Sequence, residues 1–455
     1  MIEKKLKRYI YAPETSLHRV LGDLYRKAVT ICLVVDSKKK LLGIVTITDL
    51  KQAIFKGVDP NTPVHTIMNT TFVSAEVGTS LTKLRRLAMG KTKYKTGIFE
   101  KIPILDQHST LKGLYILPGS QEELRRTVLV TGGAGYVGSH VCRLLLKKGY
   151  KVVVLDKLLF GNAGIRDLLK HKNFKLIKGD ISNISTLISA VQQADAVIHL
   201  AGIVGDPASA LNPLHTMEQN HFATKAFIDV CKHYQIARFV FASSCSVYGA
   251  NPGLLKEESD LRPVSLYAQS KRYSEFVLLR EADDNFHPII LRFGTLYGLS
   301  PRMRFDLVVN TMTAHAHSRK IIMVDGGGQW RPLLHVEDAA AACVAALETP
   351  LQKVSGQIFN VGDTQENYQI QDIAKAVQGH LPGTHIHQQD TVKDRRDYKV
   401  SFNKINHRMG WRISRTLTEG IAEIVTTLRK GQFKQWDDKR YNNYLMLRSV
   451  LEDIP

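Results

Sequence analysis

The chain has 455 residues, 44% apolar and 23% charged, a globular composition with room for two or three domains. Its net charge of +20 favours anionic ligands, no run approaches the roughly 18 uncharged apolar residues of a membrane span, and "MIEKKLKRYIYAPET" has no apolar stretch behind its basic residues, which predicts no secretory leader. Five cysteines, odd in number and without C-x-x-C spacing, argue against a disulfide framework and a zinc site, so no metal is expected and the cytoplasm is the default location.

Residues 1–125 hold 21 Lys and Arg against 11 Asp and Glu, half of the net charge. The basic clusters "KKLKR" (4–8), "KKK" (38–40) and "KLRRLAMGKTKYK" (83–95) are short and lack stacking aromatics or a groove-reading pattern, so solvated surface and small phosphorylated ligands are expected rather than nucleic acid. The same region repeats itself. "ICLVVDSKKKLLGIVTITDL" (31–50) and "KIPILDQHSTLKGLYILPG" (101–119) each read as strand, polar hairpin and second strand, with Asp36 over Asp106 and Gly43 over Gly113. Upstream, "ETSLHRVLGDLYRKAV" and "GTSLTKLRRLAMGKTK" read as helices begun by Thr or Ser caps.

Over residues 8–118 this pattern resembles a tandem pair of CBS motifs, an adenine-nucleotide-sensing module. The resemblance implies a G-x-x-T-x-x-D turn that holds a nucleotide ribose, fitted here by Gly43, Thr46 and Asp49. The second half has Ile116 and Gly119 where Thr and Asp belong, so at most one such site is expected. A structural role suits the same residues equally, with Thr46 or Thr48 capping the helix of "DLKQAIFKG" and the module serving only to dimerise.

"TVLVTGGAGYVGSH" (127–140) then reads as strand, tight turn and helix. Gly133, Gly135 and Gly138 satisfy the dinucleotide fingerprint, and Gly132, Gly135 and Gly138 give a G-x-x-G-x-x-G spacing. Turn positions without Cβ bring backbone N–H groups and a helix N-terminus to a pyrophosphate. The next strand, "KVVVLD" (151–156), ends in Asp156, where a carboxylate accepts bonds from ribose hydroxyls and repels a 2′-phosphate, favouring NAD over NADP. Strands follow at 174–182, 194–202, 238–249 and 288–298 with helix-length segments between them, predicting an α/β fold: a doubly wound parallel Rossmann sheet.

"SLYAQSKRYSE" places Tyr267 and Lys271 four apart on one helix face, and "SSCSVYG" (243–249) presents hydroxyls at a strand end, the ligand side of such a sheet. The glycine turn, Asp156, "DKLLFGN", "HLAG", the hydroxyl strand and Y-x-x-x-K in this order resemble the extended short-chain dehydrogenase/reductase superfamily, in its nucleotide-sugar epimerase/dehydratase branch, over residues 126–430. The resemblance implies Tyr267 as acid/base toward a sugar hydroxyl, Lys271 on the nicotinamide ribose and lowering the tyrosine pKa, and Ser244 bridging the sugar oxygen to Tyr267. It implies NAD contacts from Gly132, Gly135, Tyr136, Val137 and Gly138, from Asp156, Gly161 and Asn162, and from Asp180, Ile181, Leu200, Ala201 and Gly202. Substrate contacts are implied for Ser244, Ser246, Thr295, Arg304, Arg331 and Arg395 or Arg396, with the two arginine groups at 331 and 395–396 reaching a diphosphate. His335 and Asp338 of "WRPLLHVED" read as hydrogen-bonders at a helix start, and Cys245 as a buried small residue.

Dehydratases of this branch carry an Asp-Glu pair just after the catalytic hydroxyl, and decarboxylases a Glu two residues after it; here Cys245 and Ser246 stand there. The expected activity is therefore epimerisation of a nucleoside-diphosphate sugar by oxidation and re-reduction on NAD, under control of the N-terminal module. The alternatives are a nucleotide-sugar ketoreductase and a non-catalytic NAD-binding sensor or scaffold. The expected organisation is a CBS-like α+β module (1–122), an NAD-binding catalytic domain with a small C-terminal substrate lobe (126–432) and a tail (433–455), assembled as a homodimer through two long helices.

Overall fold

Two β-hairpins 70 residues apart organise the start of the chain. The computed structural model describes residues 2–3, 6–26, 29–80, 83–84, 87, 91–92, 95–96, 101–116, 127–283, 285–389 and 396–452, and divides the chain into units at 1–125 and 126–455. In the first unit Ile31–Val35 pairs antiparallel with Leu41–Thr46, and Lys101–Leu105 with Leu111–Ile116, each register shifting once at the equivalent residue. The turns match atom for atom. The Asp36 carboxylate accepts from the amides of Lys38 and Lys40, that of Asp106 from those of His108 and Thr110, and Lys39 and Ser109 share a positive φ of 62° and 60°. The Thr110 amide first, helped by Lys112 and the His108 amide, holds the Asp106 carboxyl down at about 2 against the opposing effect of desolvation. The turns also bond reciprocally, Leu41 N to Ser109 O and Leu111 N to Lys39 O, as a local twofold requires.

The helix Leu17–Arg26 and the fully buried strand Ile31–Val35 form the main apolar cluster of this unit, which Leu111 and Leu114 of the second hairpin join. The helix expected from "GTSLTKLRRLAMGKTK" and Gly119 lie largely or wholly outside the described residues.

In the second unit, seven parallel strands form one sheet: β1 (Thr127–Thr131), β2 (Lys151–Asp156), β3 (Phe174–Lys178), β4 (Ala196–His199), β5 (Arg238–Ser244), β6 (His287–Phe293) and β7 (Gln357–Val361), in the order β3-β2-β1-β4-β5-β6-β7. Apolar clusters cover both faces, as the continuous Val/Leu/Ile/Phe runs of these strands demand. The strand order reverses between β1 and β4, and the crevice at their carboxyl ends is the ligand position of such sheets.

Three elements differ from expectation. The segment 288–298 breaks at Gly294: β6 ends at Phe293, and Thr295–Tyr297 leaves to pair with Trp330–His335 in the C-terminal lobe. A Cβ on Gly294 would stand 3.0 Å from Pro332 O, so glycine lets the two segments approach. The segment 238–249 ends as strand at Ser244 and continues as a 3-10 turn, Cys245–Tyr248, capped by the Ser244 side chain. Strand β7 was not anticipated; its buried Asn360, bonded to Tyr248 and Ser401, interrupts the apolar signature.

The tail packs on the catalytic unit itself. Trp436 and Tyr441 stack edge-on around Phe305, and the helix Asn443–Glu452 is anchored by Asn443 N to the Asp306 carboxylate at 3.0 Å.

Candidate active site

A cavity of about 320 Å³ runs along the carboxyl ends of the strands, from the glycine turn to the C-terminal lobe. The turn between β1 and the helix α1 (Gly138–Lys147) forms its floor. Gly132 has φ +71°, and a Cβ there would meet Ala201 N at 2.8 Å; a Cβ on Gly138 would meet Gly132 O at 2.2 Å. A Cβ on Gly135 would touch only Gly132 O, at 3.1 Å, which leaves this backbone open to the cavity. Gly132, Gly135 and Gly138 are thus the working set, while Gly133 packs against Val154.

Asp156, at the end of β2, accepts from Ala134 N at 2.9 Å and Leu158 N at 2.8 Å; burial raises its carboxyl, and these two amides oppose the rise. Lys157 turns away to Asp180 at 2.9 Å, so no cation stands beside Asp156 from that side. Tyr136, Val137, Gly161, Asp180, Ile181, Leu200, Ala201 and Gly202 line the cavity, and the Tyr136 hydroxyl ties the turn to the lobe by donating to Gly298 O at 2.6 Å. Asn162 does not line it; it begins the short helix Ala163–Leu168.

Ser244, Tyr267 and Lys271 meet on one wall. Ser244 sits where β5 ends, its hydroxyl oxygen accepting from Ser246 N at 3.2 Å and Ser246 Oγ at 2.8 Å. Tyr267 and Lys271 lie in the first turns of α2 (Leu266–Arg280), which Ser265 caps by accepting from Ala268 N. Burial pushes the Tyr267 phenol up to about 12; a hydrogen bond with Ser244 and the charge of Arg304 lower it, while Asp206 and Tyr398 raise it. Lys271 donates to Ala242 O at 2.8 Å, lies 5.9 Å from the Tyr267 ring centre, and is pulled down to about 8 by burial against the opposing charge of Glu275. Arg304 is thus one cation acting on the phenol, and the Lys271 ammonium lies beside the same ring.

Ser246, Thr295, Arg304 and Arg396 also line the cavity. Arg304 is held in a fork by Asp306, with bonds of 2.9 and 2.8 Å, and Arg396 pairs with Asp206 at 3.2 Å. Arg331 is buried and does not line the cavity; its Nη1 donates to Trp330 O at 2.7 Å and Arg396 O at 2.5 Å, which ties it to the backbone of the cavity-lining Arg396. Arg395 lies outside the described residues. His335 caps its helix and meets Glu423 at 2.8 Å, Asp338 accepts from Ser414 and Arg415, and Cys245 is buried with its thiol on Arg292 O.

The lining residues that sequence reasoning missed include the polar side chains of Asp206, Arg302, Tyr398 and Asn443. The only local signal was "GDP" at 205–207, an acidic helix start just beyond β4. In the first unit, Thr46 and Asp49 engage each other: Asp49 accepts from Thr46 N at 2.8 Å and Thr46 Oγ1 at 2.7 Å, and Asp49 N donates back, a capping box on the helix Ile47–Phe55. Among the described residues no cluster of His, Cys, Asp or Glu suits a metal ion, and no helix is long and apolar enough to cross a membrane.

A fold with this strand order, glycine turn and tyrosine–lysine helix is that of a dinucleotide-binding oxidoreductase-type enzyme. The family model for the NAD dependent epimerase/dehydratase family matches residues 128–362, and the chain belongs to that family, with a CBS domain matched at residues 9–56. The chain is 31% identical to an uncharacterised UDP-glucose epimerase of Bacillus subtilis, YtcB, over 52% of this chain and 77% of that protein. It is 30% identical to a UDP-glucose 4-epimerase of Yersinia pestis (65% and 95%) and 26% identical to a human dTDP-D-glucose 4,6-dehydratase (74% and 97%). Among solved structures it is similar to a UDP-glucuronic acid 4-epimerase from Bacillus cereus in complex with UDP-glucuronic acid and NAD, with 27% identity, TM-score 0.60, and coverage of 67% of this chain and 99% of that one. NAD is the cofactor of this enzyme class, and the bare Gly135 backbone and the carboxylate of Asp156 fit it.

Proposed function

We propose that the protein is an NAD-dependent epimerase of a nucleoside-diphosphate sugar. The observation that carries the reading is the convergence of Ser244, Tyr267 and Lys271 on the wall of the dinucleotide crevice, with Cys245 and Ser246 in place of acidic residues beyond Ser244. Asp156 would hold the adenosine ribose, the glycine turn the pyrophosphate, and Lys271 the nicotinamide ribose. NAD, when bound, supplies the hydride acceptor and then the hydride donor.

This chain's own residues handle the proton. Tyr267 Oη takes it from a ring hydroxyl of the sugar through a geometry fixed by Ser244 Oγ, and returns it when the keto-sugar is reduced on its other face. Arg304 and the Ser244 bond stabilise the phenolate against the rise that burial imposes. Arg396, at the cavity wall, would take the substrate diphosphate, and Thr295 and Ser246 its sugar.

Asp206 is a carboxylate in the cavity, as a dehydratase would need, but it is engaged by Arg396 and by the Ser265 hydroxyl at 2.7 Å. That supports epimerisation over elimination. The N-terminal module would bind an adenine nucleotide near Thr46 and Asp49 and adjust the rate. A homodimer through the exposed face carrying Phe222, Tyr273 and Phe276 suits the apolar surface there, and five buried free cysteines suit the cytoplasm.

The test is to desalt the purified protein, measure its NAD content, and screen nucleotide sugars by product analysis. The reading expects retained NAD and interconversion of two epimers without added cofactor. Empty protein that reduces a keto-sugar only with added NADPH would replace it with a ketoreductase.

A further inference from the structure

Arg302, in "SPRMRF", is an arginine of the crevice wall that forms no ion pair among the described residues. It is 4% exposed and lines the cavity. Its guanidinium stands over the Phe160 ring, 4.2 Å from the centre, and Nη2 donates to the Asn443 side-chain oxygen at 2.6 Å. Its Nε is buried without a hydrogen-bond partner. Among the described residues no carboxylate pairs with it; Asp306 is held by Arg304 in a fork and by Asn443 N. Burial first, then the neighbouring Arg304, brings Arg302 down to about 10.

A buried charge without a counter-ion and a buried N–H without an acceptor are both unfavourable, and an anion with several oxygens relieves both. The position says which anion. The Arg302 Cβ lies 3.2 Å from where a Cβ on Gly164 would stand, and Gly164 abuts Ala134 O of the glycine turn. Asp156 acts electrostatically on Arg302, whereas Arg304 reaches toward Gly205 and Tyr267, the sugar side.

We propose that Arg302 is a ligand of the cofactor's pyrophosphate, aimed by Asn443, so that the C-terminal helix Asn443–Glu452 is a working part of the cofactor site. The inference rests on the dinucleotide reading of the crevice. It gives the tail a function: Asn443 and Leu447 both line the cavity, and the backbone bond from Asn443 to Asp306 fixes where the helix starts. Asn443 is a positioning residue, Arg302 a binding one.

The test uses the full chain and three proteins: wild type, Arg302→Gln and Asn443→Ala. NAD retained after desalting is measured, then affinities for NAD, ADP-ribose and UDP by calorimetry on cofactor-stripped protein. In Arg302→Gln, NAD and ADP-ribose are expected to bind about tenfold or more weakly, as for loss of a charge-assisted bond, with UDP unchanged. Asn443→Ala removes only the acceptor and keeps the backbone bond to Asp306, so it remains informative if Arg302→Gln does not fold; a smaller loss for NAD and ADP-ribose alone is expected. Wild-type retention and affinity in the variants that fold would overturn the proposal. So would weakened UDP binding with NAD intact, which would move Arg302 to the substrate diphosphate. A wild type that binds no NAD would instead break the functional reading beneath it.

Discussion

Thr46 and Asp49 in the N-terminal unit and Tyr267, Lys271 and Arg302 in the catalytic unit are all polar groups at a place where a nucleotide is expected, yet they differ in what they already hold. Thr46 and Asp49 exchange three hydrogen bonds with each other and finish a helix. In the crevice, Arg302 has a buried N–H with no acceptor, and Lys271 is enclosed with one carbonyl at 2.8 Å. A site that satisfies itself folds without its ligand; a site that leaves buried charge uncompensated is stabilised by one. The contrast separates a regulatory position, where binding must compete with an existing motif, from a cofactor position, where binding completes the structure.

The largest expected effect lies at the phenol. Tyr267→Phe removes the proton acceptor while keeping the ring, so turnover should fall about 10²–10⁴-fold with NAD content unchanged. Turnover at the wild-type rate would remove Tyr267 from the reaction. Lys271 sharpens the contrast through stability. Its folded pKa of about 8 lies below the ordinary 10.5, so between these values the unfolded chain holds one proton more, and stability from this position rises as pH climbs from 8 to 10.5. Lys271→Met should remove that rise and stabilise the apo-protein below pH 8 by about 2–4 kcal/mol, read as the difference between the two denaturation curves against pH. Parallel curves would mean that the ammonium is better solvated than its burial indicates. The smallest effect belongs to the self-satisfied pair. Thr46→Ala should destabilise the N-terminal unit by about 1 kcal/mol, the worth of a cap, measured by hydrogen exchange at the helix Ile47–Phe55, with Thr46→Ser recovering most of it. No change in exchange would show that the capping box contributes little and leave both groups available to a ribose.

What was readable in the sequence was whatever the backbone ties to local spacing. Gly135 and Gly138 sit against Gly132 O within one turn, Asp156 ends the neighbouring strand, and Tyr267 and Lys271 share a helix face. The hairpin repeat was readable for the same reason, down to the matched Asp36 and Asp106 turns. Residues that reach the crevice by tertiary packing were not. Arg302 and Asn443 are 141 positions apart, and nothing near either one marks the partner. The bonds of Arg331 to the carbonyls of Trp330 and Arg396 were not legible either, because spacing does not encode where a buried side chain turns. Strand β7 escaped because its buried Asn360 answers to Tyr248, more than a hundred residues away.

The central claim, oxidation and re-reduction at one carbon by a cofactor that stays bound, is tested most directly with an isotope. A nucleoside-diphosphate hexose carrying deuterium on the ring carbon that inverts is incubated with the desalted protein and no added cofactor. Deuterium retained on that same carbon of the epimer is the predicted result; deuterium lost to water, or a reaction that proceeds only as added NADPH is consumed, would contradict it.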